Sequence, residues 1–307
     1  MANAQTEAPD ITVSSWVMVM VLGLVWGSSF LFVELAIEGI TPFWLAATRI
    51  LLASVVTTIV WQMRGGVLFK SAVPPPWALL TIVGALSTAL PFMLLSWGQQ
   101  YVTAGFAGVS MAAVALMVLP LAHFLIPGEQ MSVRKTLGFV VGFAGVVVLI
   151  GPEALRASGI AGEIPGRLAC LAAAACYAVS SVLMRRIPPI DGFGLSAVTL
   201  WIGAVVVTIS ALWKEGIPAW PVASIVVVII VLGLVQTAMA NMLRIVVVRT
   251  AGPTFMSLTN YMVPIWSVVL GVVFLGEPLE PTLFTAMVLI FVGVALSQWN
   301  ALRQLFR

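Results

Sequence analysis

The chain has 307 residues, of which 61% are hydrophobic and 8% charged, with a mean hydropathy of +1.13. A water-soluble domain carries about a quarter of its residues as Asp, Glu, Lys or Arg, so the composition excludes a water-facing surface and fits lipid as the solvent. The net charge of +3 arises from basic residues scattered singly or in pairs, never in a stripe, which argues against nucleic acid as a partner.

Residues 1–13 are polar and acidic (Glu7, Asp10), and they lack the basic n-region and small-residue cleavage site of a secretory signal. The expectation is a tail on the cytoplasmic side followed by an apolar segment that stays in the membrane. A lipid-crossing helix needs about 20 mostly apolar residues, because only a helix satisfies its own backbone there. Segments 14–33, 192–213, 216–243, 250–276 and 281–302 contain no Asp, Glu, Lys or Arg, and 42–63 contains only Arg49. The charge-free run between Lys70 and Glu129 is too long for one crossing and must fold back, with Gly98-Gln-Gln-Tyr-Val-Thr103 as the turn. Segments 136–152 and 168–184 are shorter, a mismatch that tilt and snorkelling accommodate. Ten spans result, and the fold class is an all-α integral membrane protein.

With the amino terminus inside, Arg64, Lys70, Arg134, Lys135, Arg185, Arg186, Arg244, Arg249, Arg303 and Arg307 face the cytoplasm, against Arg156, Arg167 and Lys214 outside. The positive-inside rule then places both termini in the cytoplasm of a multi-pass inner-membrane protein. Glu38, Glu153, Glu163, Glu215, Glu277 and Glu280 fall outside.

An internal repeat is also visible. Thr103-Ala-Gly-Phe-Ala-Gly108, Gly128-Glu129, Gly138 and Gly145 recur as Thr250-Ala-Gly-Pro-Thr254, Gly276-Glu277, Ala286 and Gly293, shifted by 147 to 148 residues. Trp26-Gly-Ser-Ser29 and Tyr177-Ala-Val-Ser-Ser181 match more weakly. Five spans per copy is an odd number, so two copies, 14–152 and 165–302, enter the membrane from opposite sides. Such inverted halves support alternating access to a site at their interface.

These residues resemble the EamA family of the drug/metabolite transporter superfamily over nearly the whole chain. The resemblance rests on Val25-Trp-Gly-Ser-Ser-Phe30, Pro42-Phe-Trp-Leu-Ala-Ala-Thr-Arg49, Gly128-Glu129, Ser257-Leu-Thr-Asn-Tyr-Met-Val-Pro264 and Leu275-Gly-Glu277. One departure is that Pro264 precedes Glu277 by thirteen residues whereas Pro120 precedes Glu129 by nine, which moves the kink in the fourth span. The resemblance implies a ten-helix basket that moves amino acids, nucleosides, vitamins or related small metabolites. Export of an amino acid or similar compound is the leading expectation, and uptake of a vitamin or nucleoside-type metabolite is the alternative.

An ionisable group inside hydrocarbon costs about 3 kcal/mol on insertion scales, so Glu34 and Arg49 need a reason to be there. They lie seven residues before and eight after Thr41, which in an antiparallel hairpin brings them side by side. They are expected to form a charge pair, or to meet a zwitterionic substrate or a proton. Trp26, Ser28 and Ser29, with Tyr177, Ser180 and Ser181 as approximate mates, are further cavity candidates. So are Gln236, Asn241, Asn260 and Tyr261, polar groups that each need a hydrogen-bond partner or a water-filled cavity. His123, the only histidine, reads as an interfacial packing residue, and Gly138, Gly142 and Gly145 as a face for close helix contact within the chain or in a homodimer.

Cys170 and Cys176, six apart, have no metal or redox spacing. There is no HExxH, no intramembrane carboxylate pair and no P-loop, so an enzyme, a metal site, a cofactor or direct ATP drive is not expected. A channel would call for charge rings or filter loops that the sequence lacks. A structural membrane protein is the remaining alternative.

Overall fold

The computed structural model describes residues 11–69, 75–151, 162–299 and 302–303. Residues 1–10, with Glu7 and Asp10, and the charges Lys70, Glu153, Arg156 and Arg307 used in the orientation argument lie outside the described residues.

Among the described residues, eight helices are long and apolar enough to cross a bilayer: α1 (Val13–Ile37), α2 (Pro42–Met63), α3 (Trp77–Gly98), α4 (Ala104–Leu125), α5 (Val133–Ile150), α6 (Glu163–Met184), α7 (Gly192–Glu215) and α8 (Ala223–Thr250). Two shorter apolar helices follow, α9 (Thr259–Leu275) and α10 (Pro281–Ser297), each of 17 residues. A helical segment of five residues, Gly252–Met256, stands between α8 and α9.

The local chemistry explains the boundaries. The Thr12, Thr103, Ser132 and Asp191 side chains accept hydrogen bonds from the first-turn amides of α1, α4, α5 and α7. Pro42 and Pro281 stand at the first turns of α2 and α10, where a missing N–H costs nothing. The sequence expectation ended the eighth span at Leu243 because Arg244 follows. The helix instead continues to Thr250, placing Arg244 six residues inside its end, half-buried and within electrostatic reach of Tyr177.

The helices pack in a definite set of pairs. α5 lies against α10 and α2 against α7; α1 packs on α9 and α6 on α4; the second half of α3 packs on α6, and α8 on α1. The α5–α10 contact is so close that a methyl on Gly293 would strike the backbone of Gly138 and Gly142. The small-residue face of α5 is therefore used within the chain. α1 meets α9 in the same way, with Gly23 and Gly27 facing Met262 and Trp266.

Two helices change winding part-way. Ala85–Ala89 of α3 and Leu232–Met239 of α8 are π-helical, and these two segments occupy corresponding positions in the two halves of the chain. Insertions of this kind re-aim side chains and free carbonyls, and they are frequent at functional sites.

Candidate functional site

Arg49 is buried, at 5% exposure, on α2. The π-wound stretch of α8 turns the Thr237 hydroxyl toward it, and Arg49 donates to that oxygen from Nε (3.3 Å) and Nη2 (3.1 Å). Nη2 also reaches Ser29 Oγ on α1 at 3.3 Å, and the guanidinium lies 4.3 Å from the centre of the Phe92 ring on α3. Four helices thus converge on one cation through neutral partners. Beside it Gln236 donates from Nε2 to Ser28 Oγ at 3.0 Å, joining α8 to α1 a second time.

The expected Glu34–Arg49 pair is not formed. Glu34 turns instead to Gln99 at the end of α3, whose Nε2 is 3.4 Å from Glu34 Oε2 and 2.9 Å from the Phe30 carbonyl. Equal distance from a hairpin turn brings residues together only when the two helices run in contact. Here α1 lies mainly on α9 and α2 mainly on α7, so the hairpin is splayed.

The remaining candidates divide. Ser180 and Ser181 donate to the Tyr177 carbonyl of their own helix, so they do not repeat the interhelical bonds of Ser28 and Ser29. Tyr177 packs against the core around α4, within electrostatic reach of Arg49 and Arg244. Trp26 packs against the apolar cluster that includes Val19, Leu22, Ala240 and Phe255. Asn241 is half-buried on α8. Tyr261 sets its ring 5.7 Å from that of Phe291, tilted by 58°, and its hydroxyl meets no hydrogen-bonding protein group among the described residues.

Asn260 belongs to a different place. A cavity of about 980 Å³ opens at the end of the bundle that carries Arg134, Lys135 and Arg185, and Asn260, Ser257, Ser181 and Gln298 line it together with those cations, His123 and Glu129. Glu129 pairs there with Arg185 (3.1 Å) and Lys135 (3.5 Å). His123 is exposed and its Nδ1 lies 3.2 Å from the Glu129 carbonyl oxygen, so it belongs to the rim of this cavity as well as to the helix end.

At the opposite end two carboxylates each hold the start of a helix. Glu277 receives the Ala104 and Gly105 amides of α4 at 2.6 and 3.0 Å. Glu215 receives the Thr41 hydroxyl and the Phe43 and Trp44 amides at the start of α2, at 2.6 to 3.1 Å. Each places a negative charge on the positive end of a helix dipole.

Sequence reasoning missed Gln99, Phe92 and Thr237 as partners, and it gave Glu277 and Glu215 no role. Thr237 carries little signal, because a threonine in a span can satisfy itself on its own backbone, as this one also does on the Leu232 carbonyl.

The model of the EamA-like transporter family matches residues 14–151 and again 164–299. The chain belongs to the EamA-like transporter family. It is thus a multi-pass membrane protein of a transporter family. An uncharacterized transporter of Bacillus subtilis, YvbV, is 26% identical over 281 residues, which is 90% of this chain and 88% of that one. The uncharacterized inner membrane transporter YedA of Escherichia coli K12 is 25% identical over 279 residues, 90% of this chain and 87% of its own. The aromatic amino acid exporter YddG of Ancylobacter novellus is 28% identical over 159 residues, covering 52% of this chain and 54% of the exporter. A solved crystal structure superposes with a TM-score of 0.63 at 23% identity, covering 94% of this chain and 98% of its own, a likeness of fold.

Proposed function

We propose that this EamA-family protein is a secondary transporter that exports an amino acid or a closely related metabolite from the cytoplasm by alternating access. The observation that carries the reading is the pattern of helix pairing. Exchanging α1–α5 with α6–α10 sends α1–α9 to α6–α4, α3–α6 to α8–α1, and α2–α8 to α7–α3, while α5–α10 and α2–α7 map onto themselves. A chain with that self-mapping, five helices per copy and two family matches is what two inverted five-span halves produce. In this reading the Arg134–Arg185 end is cytoplasmic, as the basic residues gathered there favour.

The cavity supports the substrate class. Its volume of about 980 Å³ suits a small metabolite, and its walls combine apolar residues of α4 with Ser257, Asn260 and Ser181. The Arg185–Glu129 pair on its wall shows that both signs of charge, the complement of a zwitterion, can be accommodated there. Partial similarity to an aromatic amino acid exporter points the same way.

The test is transport itself. Inside-out vesicles containing the protein, given a labelled amino-acid panel that includes the aromatic ones, take up at least one member faster than empty vesicles. Saturation with concentration marks a transporter rather than a channel. A panel of amino acids in which nothing moves above the empty-vesicle rate contradicts the reading.

A further inference from the structure

The two ends of the molecule treat equivalent residues differently. In the repeat, Thr103-Ala104-Gly105 of α4 corresponds to Thr250-Ala251-Gly252, Glu277 corresponds to Glu129, and Ser110 corresponds to Ser257. Gly276 and Gly128, which precede the two glutamates, both adopt positive φ, 67° and 85°, so each carboxylate leaves its helix through the same kind of turn.

At the Glu277 end Thr103 is extended and caps α4 through the Phe106 amide, while Glu277 accepts from Ala104 and Gly105. Ser110, one helical stretch deeper, is fully buried. At the open end the same elements are undone. Thr250 is still helical, its hydroxyl donating to Val246, and the Ala251 amide is bonded to the Val247 carbonyl. Glu129 is held by Arg185 and Lys135, and Ser257 lines the cavity. One structural motif is therefore present in its latched form at one end and its released form at the other.

Resting on the transport reading above, we infer that Glu277 and Glu129 are alternating latches. Glu277 on the Ala104 and Gly105 amides holds the outer side shut. In the outward-facing state it lets go, and Glu129 leaves Arg185 and Lys135 to take the Ala251 and Gly252 amides, which the last turn of α8 frees by unwinding at Thr250. Gly252, already at φ +86°, is the hinge. The α5–α10 and α2–α7 pairs, locked by backbone-close glycines and by Glu215 respectively, stay fixed as the frame. Losing one charge-assisted bond from one latch shifts a two-state population by about tenfold.

The experiment uses the full-length protein with Cys170 and Cys176 replaced by alanine and one reporter, Ser110→Cys or Ser257→Cys. Intact cells expose the outer face to an impermeant thiosulfonate, and inside-out vesicles expose the cytoplasmic face. In the parent, Ser257→Cys reacts from the cytoplasmic face and Ser110→Cys is protected. Adding Glu277→Gln raises the outer-face labelling of Ser110→Cys about tenfold and lowers that of Ser257→Cys from within. Glu277→Asp, which keeps the charge but withdraws it by a methylene, acts in the same direction and guards against a misfolded glutamine variant. Glu129→Gln keeps Ser110→Cys protected and slows substrate exchange at least about tenfold. Glu215→Gln, which alters an end cap belonging to the frame, leaves the labelling ratio unchanged. Parent-like labelling in both Glu277 variants, or an equal shift with Glu215→Gln, overturns the latch. A labelling shift in a protein that moves no amino acid would leave the latch standing and sink the transport reading.

Discussion

Arg49 of α2 and Thr237 of α8 are bonded through two nitrogens to one hydroxyl, at 3.3 and 3.1 Å, so that a buried cation is held by neutral oxygens. A guanidinium in hydrocarbon costs about 3 kcal/mol on insertion scales, and two neutral hydroxyls and a ring face offset only part of it. Arg49→Met, similar in length and uncharged, is therefore expected to reach normal membrane levels with a melting temperature equal to or above the parent, while amino-acid transport falls at least about tenfold. Thermal unfolding in detergent and vesicle uptake measure the two. A collapse of protein level in Arg49→Met would make the residue a scaffold instead.

The α5–α10 crossing has no room for a side chain. A methyl on Gly293 would meet the Gly142 amide and the Gly138 carbonyl, which are backbone atoms without rotamer freedom. Gly293→Ala should destabilise by about 1 to 3 kcal/mol, seen as a lower melting temperature of the purified protein. Gly65→Ala is a poor control because of its positive φ; Leu137→Met on the exposed side of α5 serves better.

Asp191 caps α7 and pairs with Arg249 at 2.9 Å. Burial alone would push its carboxyl up, but the Gly194 amide and the Arg249 guanidinium outweigh that and hold it below the usual carboxylate range. Because the folded value is depressed, the stabilisation is complete above the ordinary value of about 3.9 and is lost as pH falls through the folded value. The stability difference between parent and Asp191→Asn should be flat from pH 8 to 5 and shrink below about pH 4. Asp191→Ala should cost about 1 kcal/mol at neutral pH through the lost cap. Unfolding temperature against pH checks both, and a difference that changes between pH 8 and 5 would contradict the assignment.

Glu215 holds the first turn of α2 by three hydrogen bonds from α7. Glu215→Ala leaves the Phe43 and Trp44 amides to find other partners and is expected to destabilise by about 1 to 3 kcal/mol. Thermal unfolding reads that loss, and Glu215→Gln, which retains one acceptor oxygen, should lose less.

The helical class and most span positions were legible because lipid imposes one simple rule, a run of apolar residues about 20 long, and the chain obeys it nearly everywhere. The failures share a cause. Arg244 broke an apolar run and so ended the expected span at Leu243, although the helix continues to Thr250 with Arg244 half-buried in the bundle near Tyr177. Glu34 and Arg49 were paired by counting from Thr41, a one-dimensional argument that cannot see α1 leaving α2 to pack on α9. The Glu277 carboxylate was visible as a motif beside Gly276, but its partners are backbone amides 172 and 173 residues away, which no side-chain pattern marks. Ser28 and Gln236 were both singled out, and only the fold shows that they bond to each other.

Two oppositely inserted halves require that corresponding loops of unlike halves fall on prescribed sides. Single cysteines replacing Lys135, Arg249 and Lys214 in a background without Cys170 and Cys176, labelled by an impermeant thiol reagent, read this directly. Positions 135 and 249 are expected to react only from the cytoplasmic face and position 214 only from the outside. Reaction of 135 and 249 from opposite faces would contradict the inverted arrangement.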